Sequence, residues 1–156
     1  MVDMFLYNWQ IREEWFDWCE TLSNEELVKK RIGGTGSILH NLYHVIDCEQ
    51  IWINQMQGTP VIVNDINNII TLNDVKIFSD RTKTETLHFI KSFNVETNEK
   101  VLVLKRKDGS IKSLPYEKVL RHITAHEIHH IGQLSVWSRD IGLNPISSDL
   151  IFRELV

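Results

Sequence analysis

The sequence predicts an all-α protein, a four-helix bundle with one small β-hairpin before its last long helix. Four long segments space their apolar residues at threes and fours, as helices with a buried stripe do, and glycine- or proline-bearing breaks separate them. The one strand-like stretch, near residues 101–114, is too short to build a core, so the helices must pack on one another. With 156 residues, 42% of them hydrophobic, the chain is of a size to bury a core without disulfides, and residues 1–156 are expected to form a single domain.

The first helix is expected over residues 4–20. Phe5, Trp9, Ile11, Trp15, Phe16 and Cys19 form its apolar side, and Gln10, Arg12, Glu13 and Asp17 are read as its polar side. Ser23-Asn24-Glu25-Glu26 has capping-box form and predicts one further turn before Gly33, Gly34 and Gly36 break the chain. From Ser37 a second helix carries Ile38, Leu39, Leu42, Val45, Ile46, Ile51, Trp52, Ile53 and Met56 to a stop at Gly58 and Pro60. Residues 60–72 mix β-branched residues with Asn and Asp, and are expected to connect across an end of the molecule. Thr71 or Asn73 could cap the third helix, whose apolar positions Val75, Ile77, Phe78, Leu87, Ile90 and Phe93 thin out in the middle, where Ser79 to Glu85 are polar. Val101–Leu104 and Ile111–Leu114 flank Lys107-Asp108-Gly109-Ser110, where Asp-Gly would supply the positive φ angles of a tight hairpin turn. Pro115 suits the start of a helix, and the fourth helix carries Val119, Leu120, Ile123, Ile128, Ile131, Leu134, Val136 and Trp137 to the stop at Gly142 and Pro145. A turn over Ser147–Val156 follows.

The formal charge of −4 and the lack of a Lys/Arg-rich face argue against nucleic acid, whose binding rests on neutralised phosphates. Lys105-Arg106-Lys107 runs into Asp108-Gly109 and reads as a solvated turn. No apolar stretch has the length of a membrane span or the character of a signal peptide, so a cytoplasmic protein without a membrane partner is expected. Cys19 and Cys48 fit free thiols in a reducing compartment.

Function is concentrated in the histidines. Of seven, at 40, 44, 88, 122, 126, 129 and 130, all but His88 fall in the second and fourth helices. Residues four apart stand on one helical face, about 5–6 Å apart at Cβ, so His126 and His130 can converge on one ion. Such an ion needs a third protein ligand, which the second helix offers as His44 or His40. His122 repeats the four-residue spacing and is read as a residue that orients the ligands; His129 lies on a flank. His126-Glu127-Ile128-His129-His130 also satisfies H-E-x-x-H, the pattern of zinc peptidases with a glutamate base. The chain offers only one short hairpin to such a peptidase cleft, which weighs against it. Imidazole ligands suit several divalent ions, zinc and nickel foremost here.

Two motifs carry a family resemblance. They are Ser37-Ile-Leu-His-Asn-Leu-Tyr-His44 continuing through Cys48, Glu49 and Trp52, and Leu120-Arg-His-Ile-Thr-Ala-His126-Glu-Ile-His-His130-Ile-Gly132-Gln133-Leu134 after the hairpin. In this order they resemble the DinB family, across essentially the whole chain. The resemblance implies an up-down-down-up bundle, a metal triad on His44, His126 and His130, and a homodimer. The family commonly has an arginine after the paired histidines where this chain has Ile131, and a small residue where this chain has Cys48. A Cys48 thiolate would be a fourth ligand that closes the site; the reading adopted is a small buried residue.

The resemblance further implies chemistry of the thiol S-transferase kind, in which a low-molecular-weight thiol such as bacillithiol attacks a small electrophile. Glu49, His122, Glu127 and Gln133 are expected around the ligands, and the tryptophans at 9, 15 and 18 either line a substrate pocket or belong to the core. The alternatives are a metal-dependent hydrolase with Glu127 or Glu49 as base, and a metal-binding protein, dimeric and without turnover.

Overall fold

The computed structural model describes residues 1–93 and 99–155. Its helices are α1 (Val2–Glu20), the short α2 (Asn24–Val28), α3 (Ile38–Gln57), α4 (Leu72–Lys91) and α5 (Tyr116–Asp140). Strands β1 (Val101–Lys105) and β2 (Ile111–Pro115) pair antiparallel before α5, with Val101 opposite Pro115 and Lys105 opposite Ile111. The starts follow from side chains that satisfy free amide groups. Ser23 accepts from the Glu26 amide, Ser37 from the His40 amide, and Thr71 and Asp74 form a reciprocal capping box. Gly58 ends α3 in the left-handed conformation at φ 71°, which a side chain would strain.

Each of α1 and α3 packs against both α4 and α5. The core divides into two apolar clusters at opposite ends. One joins Phe5 at the start of α1 to Ile53 and Met56 at the end of α3, Phe89 and Ile90 at the end of α4, and Val119, Leu120 and Ile123 at the start of α5. The other joins Trp15, Phe16 and Cys19 to Ile38, Leu39, Val75, Phe78, Ile131, Leu134 and Trp137. Hence α1 and α5 run one way and α3 and α4 the other, the up-down-down-up order.

Parallel neighbours cannot be joined across one end, and here the structure departs from the sequence reading of residues 60–72. The connection runs the length of the bundle, bridging about 30 Å of helix at about 1.5 Å per residue. Gln50 pins it midway by donating to the Ile62 carbonyl at 3.0 Å and accepting from the Ile62 amide at 3.1 Å. Ile69 is then buried in the far cluster.

The hairpin also closes differently from the tight turn expected. Arg106 and Ser110 pair across a wider loop, Gly109 donates to the Arg106 carbonyl, and Gly109 alone adopts positive φ, at 82°. One left-handed residue suffices there, and glycine is the cheapest to place.

Candidate metal centre

Helices α3 and α5 run antiparallel side by side, each with a row of side chains at four-residue intervals. His40, His44, Cys48 and Trp52 lie along α3, and Lys118, His122, His126 and His130 along α5. Such spacing keeps a row on one helical face. Where the rows meet, one nitrogen each from His44, His126 and His130 lies within 4.8 Å of the others. Ring centroids are 5.0 Å apart for His44 and His126, 4.8 Å for His44 and His130, and 4.5 Å for His126 and His130. Two nitrogens on a tetrahedral ion at about 2.05 Å stand about 3.4 Å apart, so small side-chain rotations separate this cluster from a coordinated one.

Burial sets the charge of these rings. It lowers the pKa of His126 and of His130 to about 4, reinforced by the neighbouring histidines, and lowers His44 as well. All three are therefore neutral at pH 7, with lone pairs free to ligate. His130 is also oriented. Its Nδ1 lies 3.0 Å from Oδ1 of Asn41, and Nδ2 of Asn41 donates to the His130 carbonyl at 2.8 Å. With the amide nitrogen spent on that carbonyl, Oδ1 accepts Nδ1–H and leaves Nε2 as the ligating atom. The glycine loop covers this contact. A Cβ on Gly34, at φ 52°, would lie 3.1 Å from Asn41 Oδ1 and 3.0 Å from the Trp137 ring.

The other residues expected near the triad take distinct places. Exposed His122 lies with its ring tilted at 5.6 Å from that of His126 and edge-on at 5.7 Å from that of Trp52. His129 is exposed, 5.1 Å from the His130 ring. Gln133 packs under the glycine loop, where a Cβ on Gly33 would meet its Oε1 at 3.2 Å. Cys48 and Cys19 are free, and Cys48 is not among the converging ligand atoms. Burial pushes the Cys48 thiol up to about 11, which suits a neutral packing residue.

Glu127 and Glu49 turn away from the triad into the core. Arg12, read in the sequence as part of a polar face, is 0% exposed. Its Nε and Nη2 donate to the two oxygens of Glu127, each at 2.8 Å, and Nη2 also donates to Glu49 Oε2 at 2.8 Å. Nη1 reaches Ser79 Oγ at 3.4 Å, and Trp9 Nε1 donates to Glu49 Oε2 at 3.1 Å. This layer ties all four long helices between the two apolar clusters. Burial works against the Arg12 charge, but Glu127 and Glu49 more than offset it; burial also raises the Glu127 carboxyl, which Arg12 only partly lowers again. With both oxygens of Glu127 on Arg12, the peptidase reading loses its base.

Trp9 and Trp15 are core, and Trp18 packs against it. The aromatic residue beside the histidines is instead Trp52, which shares a pocket of about 240 Å³ with Leu114, Lys118, Val119 and His122. Arg12, Asn41 and Trp52 are thus the residues that sequence reasoning missed as contributors. For Arg12 a signal existed: positions 5, 9, 12, 16 and 19 continue one four-three stripe, with Arg12 in its middle.

Among known proteins, the DinB family model matches residues 1–155. An uncharacterized protein of Bacillus subtilis (strain 168), YizA, is 41% identical over 155 residues, covering 99% of this chain and 96% of that protein. The crystal structure of a DinB-like protein from Bacillus cereus superposes with a TM-score of 0.63 over 92% of this chain and 94% of that one, at 16% identity, a likeness of fold.

Proposed function

The chain belongs to the DinB family, and from that premise we propose that it is a divalent-metal-dependent enzyme that transfers a low-molecular-weight thiol, of the bacillithiol kind, to a small electrophile. In this reading His44, His126 and His130 hold a zinc or nickel ion. The observation that supports it most is the convergence of three neutral imidazoles from two helices, one already oriented by Asn41. When bound, such an ion supplies a low-pKa thiol or water at neutral pH. Three protein ligands leave room for that group, and Cys48 stays outside the set.

Thiol transfer is favoured over hydrolysis by where the carboxylates are. Hydrolysis of the peptidase kind uses a carboxylate to take the proton of the attacking water, and both candidates, Glu127 and Glu49, accept from Arg12 instead. A thiol starts near pKa 8.5 and asks for less help. In the transfer, a sulfur electron pair forms the new C–S bond, the leaving group departs with the pair of the bond it breaks, and the thiol proton passes to solvent.

The test is conjugation of 1-chloro-2,4-dinitrobenzene and other electrophiles with a series of thiols, bacillithiol included, by protein loaded with zinc or nickel. Thioether formation with chloride release above the protein-free rate is expected. No conjugation in either metal form overturns the transferase reading, and sedimentation of the same samples tests the homodimer.

A further inference from the structure

The pocket beside His122 indicates what sort of molecule reaches the histidines. Its walls are the Trp52 indole, Leu114 and Val119, with His122 on the side of the triad and Lys118 at the rim. His122 stands nearly perpendicular to Trp52, at 88°, and its other neighbour is His126. A group projecting past His122 therefore heads toward His126, whose ring lies 5.6 Å beyond. At about 240 Å³ the pocket exceeds the roughly 150 Å³ cavity that accepts benzene, so it takes one ring with a short substituent. A ring there can lie edge-to-face on the indole.

The charge at the rim narrows the class. Lys118 is exposed and forms no ion pair among the described residues, although Glu117 on the same turn is engaged by Arg121. An ammonium at the mouth of an apolar pocket selects anions over cations and adds a modest preference over neutral molecules.

We propose that this pocket binds a small aromatic carboxylic acid, the ring against Trp52 and Val119 and the carboxylate at Lys118. The proposal rests on the metal-centred reading for its purpose, since the acid would be the electrophilic partner there, but its test does not need turnover.

The probes are phenylacetate, 3-phenylpropionate and 4-phenylbutyrate, with 2-phenylethanol and benzylamine as neutral and cationic controls, titrated into the full chain by NMR. At least one acid is expected to shift the Trp52 indole N–H and Val119 methyl signals, binding about three- to five-fold tighter than the alcohol, as an exposed ion pair warrants. Benzylamine should bind more weakly than either. Lys118→Gln should erase the preference for acid over alcohol, and Leu114→Trp, which fills the pocket, should abolish both. The wild-type shifts decide the matter even if Leu114→Trp fails to fold. If no acid shifts those signals, or acid and alcohol bind alike, the proposal is overturned. Zinc content of the same samples separates the two readings: acid binding without zinc uptake leaves the pocket standing and removes the metal, and stoichiometric zinc without acid binding does the reverse.

Discussion

The protein holds two polar clusters in its helical interior, and they are built on opposite plans. In the Arg12–Glu49–Glu127 layer nearly every donor meets an acceptor inside the core, four helices contribute, and of the carboxylate oxygens only Glu49 Oε1 lacks a partner among the described residues. In the His44–His126–His130 cluster one ring nitrogen is satisfied, by Asn41, and one nitrogen from each ring converges with the others at the α3–α5 groove. Buried polar groups ordinarily find partners, since leaving one unpaired costs about 1–3 kcal/mol. A charged cluster matched inside the core therefore speaks for structure, and buried or half-buried imidazole nitrogens that converge with no donor from the described residues between them suit a cation.

The largest effect should come from breaking the charged cluster. Arg12→Met strands two carboxylates and is expected to cost about 3–5 kcal/mol in urea unfolding, most of it recovered when Glu49 and Glu127 are also made apolar. A loss below about 1 kcal/mol would show the layer to be incidental. His126→Ala should act the other way round, removing stoichiometric zinc in elemental analysis while changing metal-free stability by no more than about 1 kcal/mol. Asn41→Leu, which leaves all three ligands, should weaken zinc affinity about 10–100-fold. Full zinc retention by His126→Ala would end the assignment.

The smallest effect is in acid, where the clusters have opposite signs. His126 and His130 titrate near 4 in the fold and near 6.5 when unfolded, so the unfolded chain binds more protons between those values. Their contribution is complete above pH 6.5 and lost as pH falls toward 4. The raised Glu127 carboxyl favours the fold at low pH instead, and that contribution fades as pH rises through its folded pKa. Metal-free protein with His44, His126 and His130 all changed to Gln should therefore lose stability less steeply between pH 6.5 and 4.5; an unchanged slope refutes the histidine origin.

How legible each cluster was follows from its chemistry. The triad could be read because histidine at four-residue spacing on two helices has few uses, and the caps at Ser37 and Thr71 and the stop at Gly58 could be read because their signals are local. The salt-bridge layer was not, because Arg12 was assigned to the polar side and Glu49 and Glu127 to the surroundings of the ligands, although all three continue an inward stripe of apolar residues. Asn41 and Trp52 gain their meaning from partners on another helix, about 70–90 positions away, and no spacing within α3 announces those. The course of residues 60–72 depends on helix direction, which the up-down-down-up order of the resemblance implied but the reading of that segment did not use.

That lengthwise connection also orders events in time. With α3 and α4 parallel, their pairing waits on closure of a long loop, and His44 meets His126 only after some eighty intervening residues have found their places. A contact of such separation carries a larger loop-closure cost than any within one helix. An ion held only once both helices have docked would lengthen the lifetime of the folded chain more than it would hasten folding, because a contact absent from the transition state acts on the rate of unfolding.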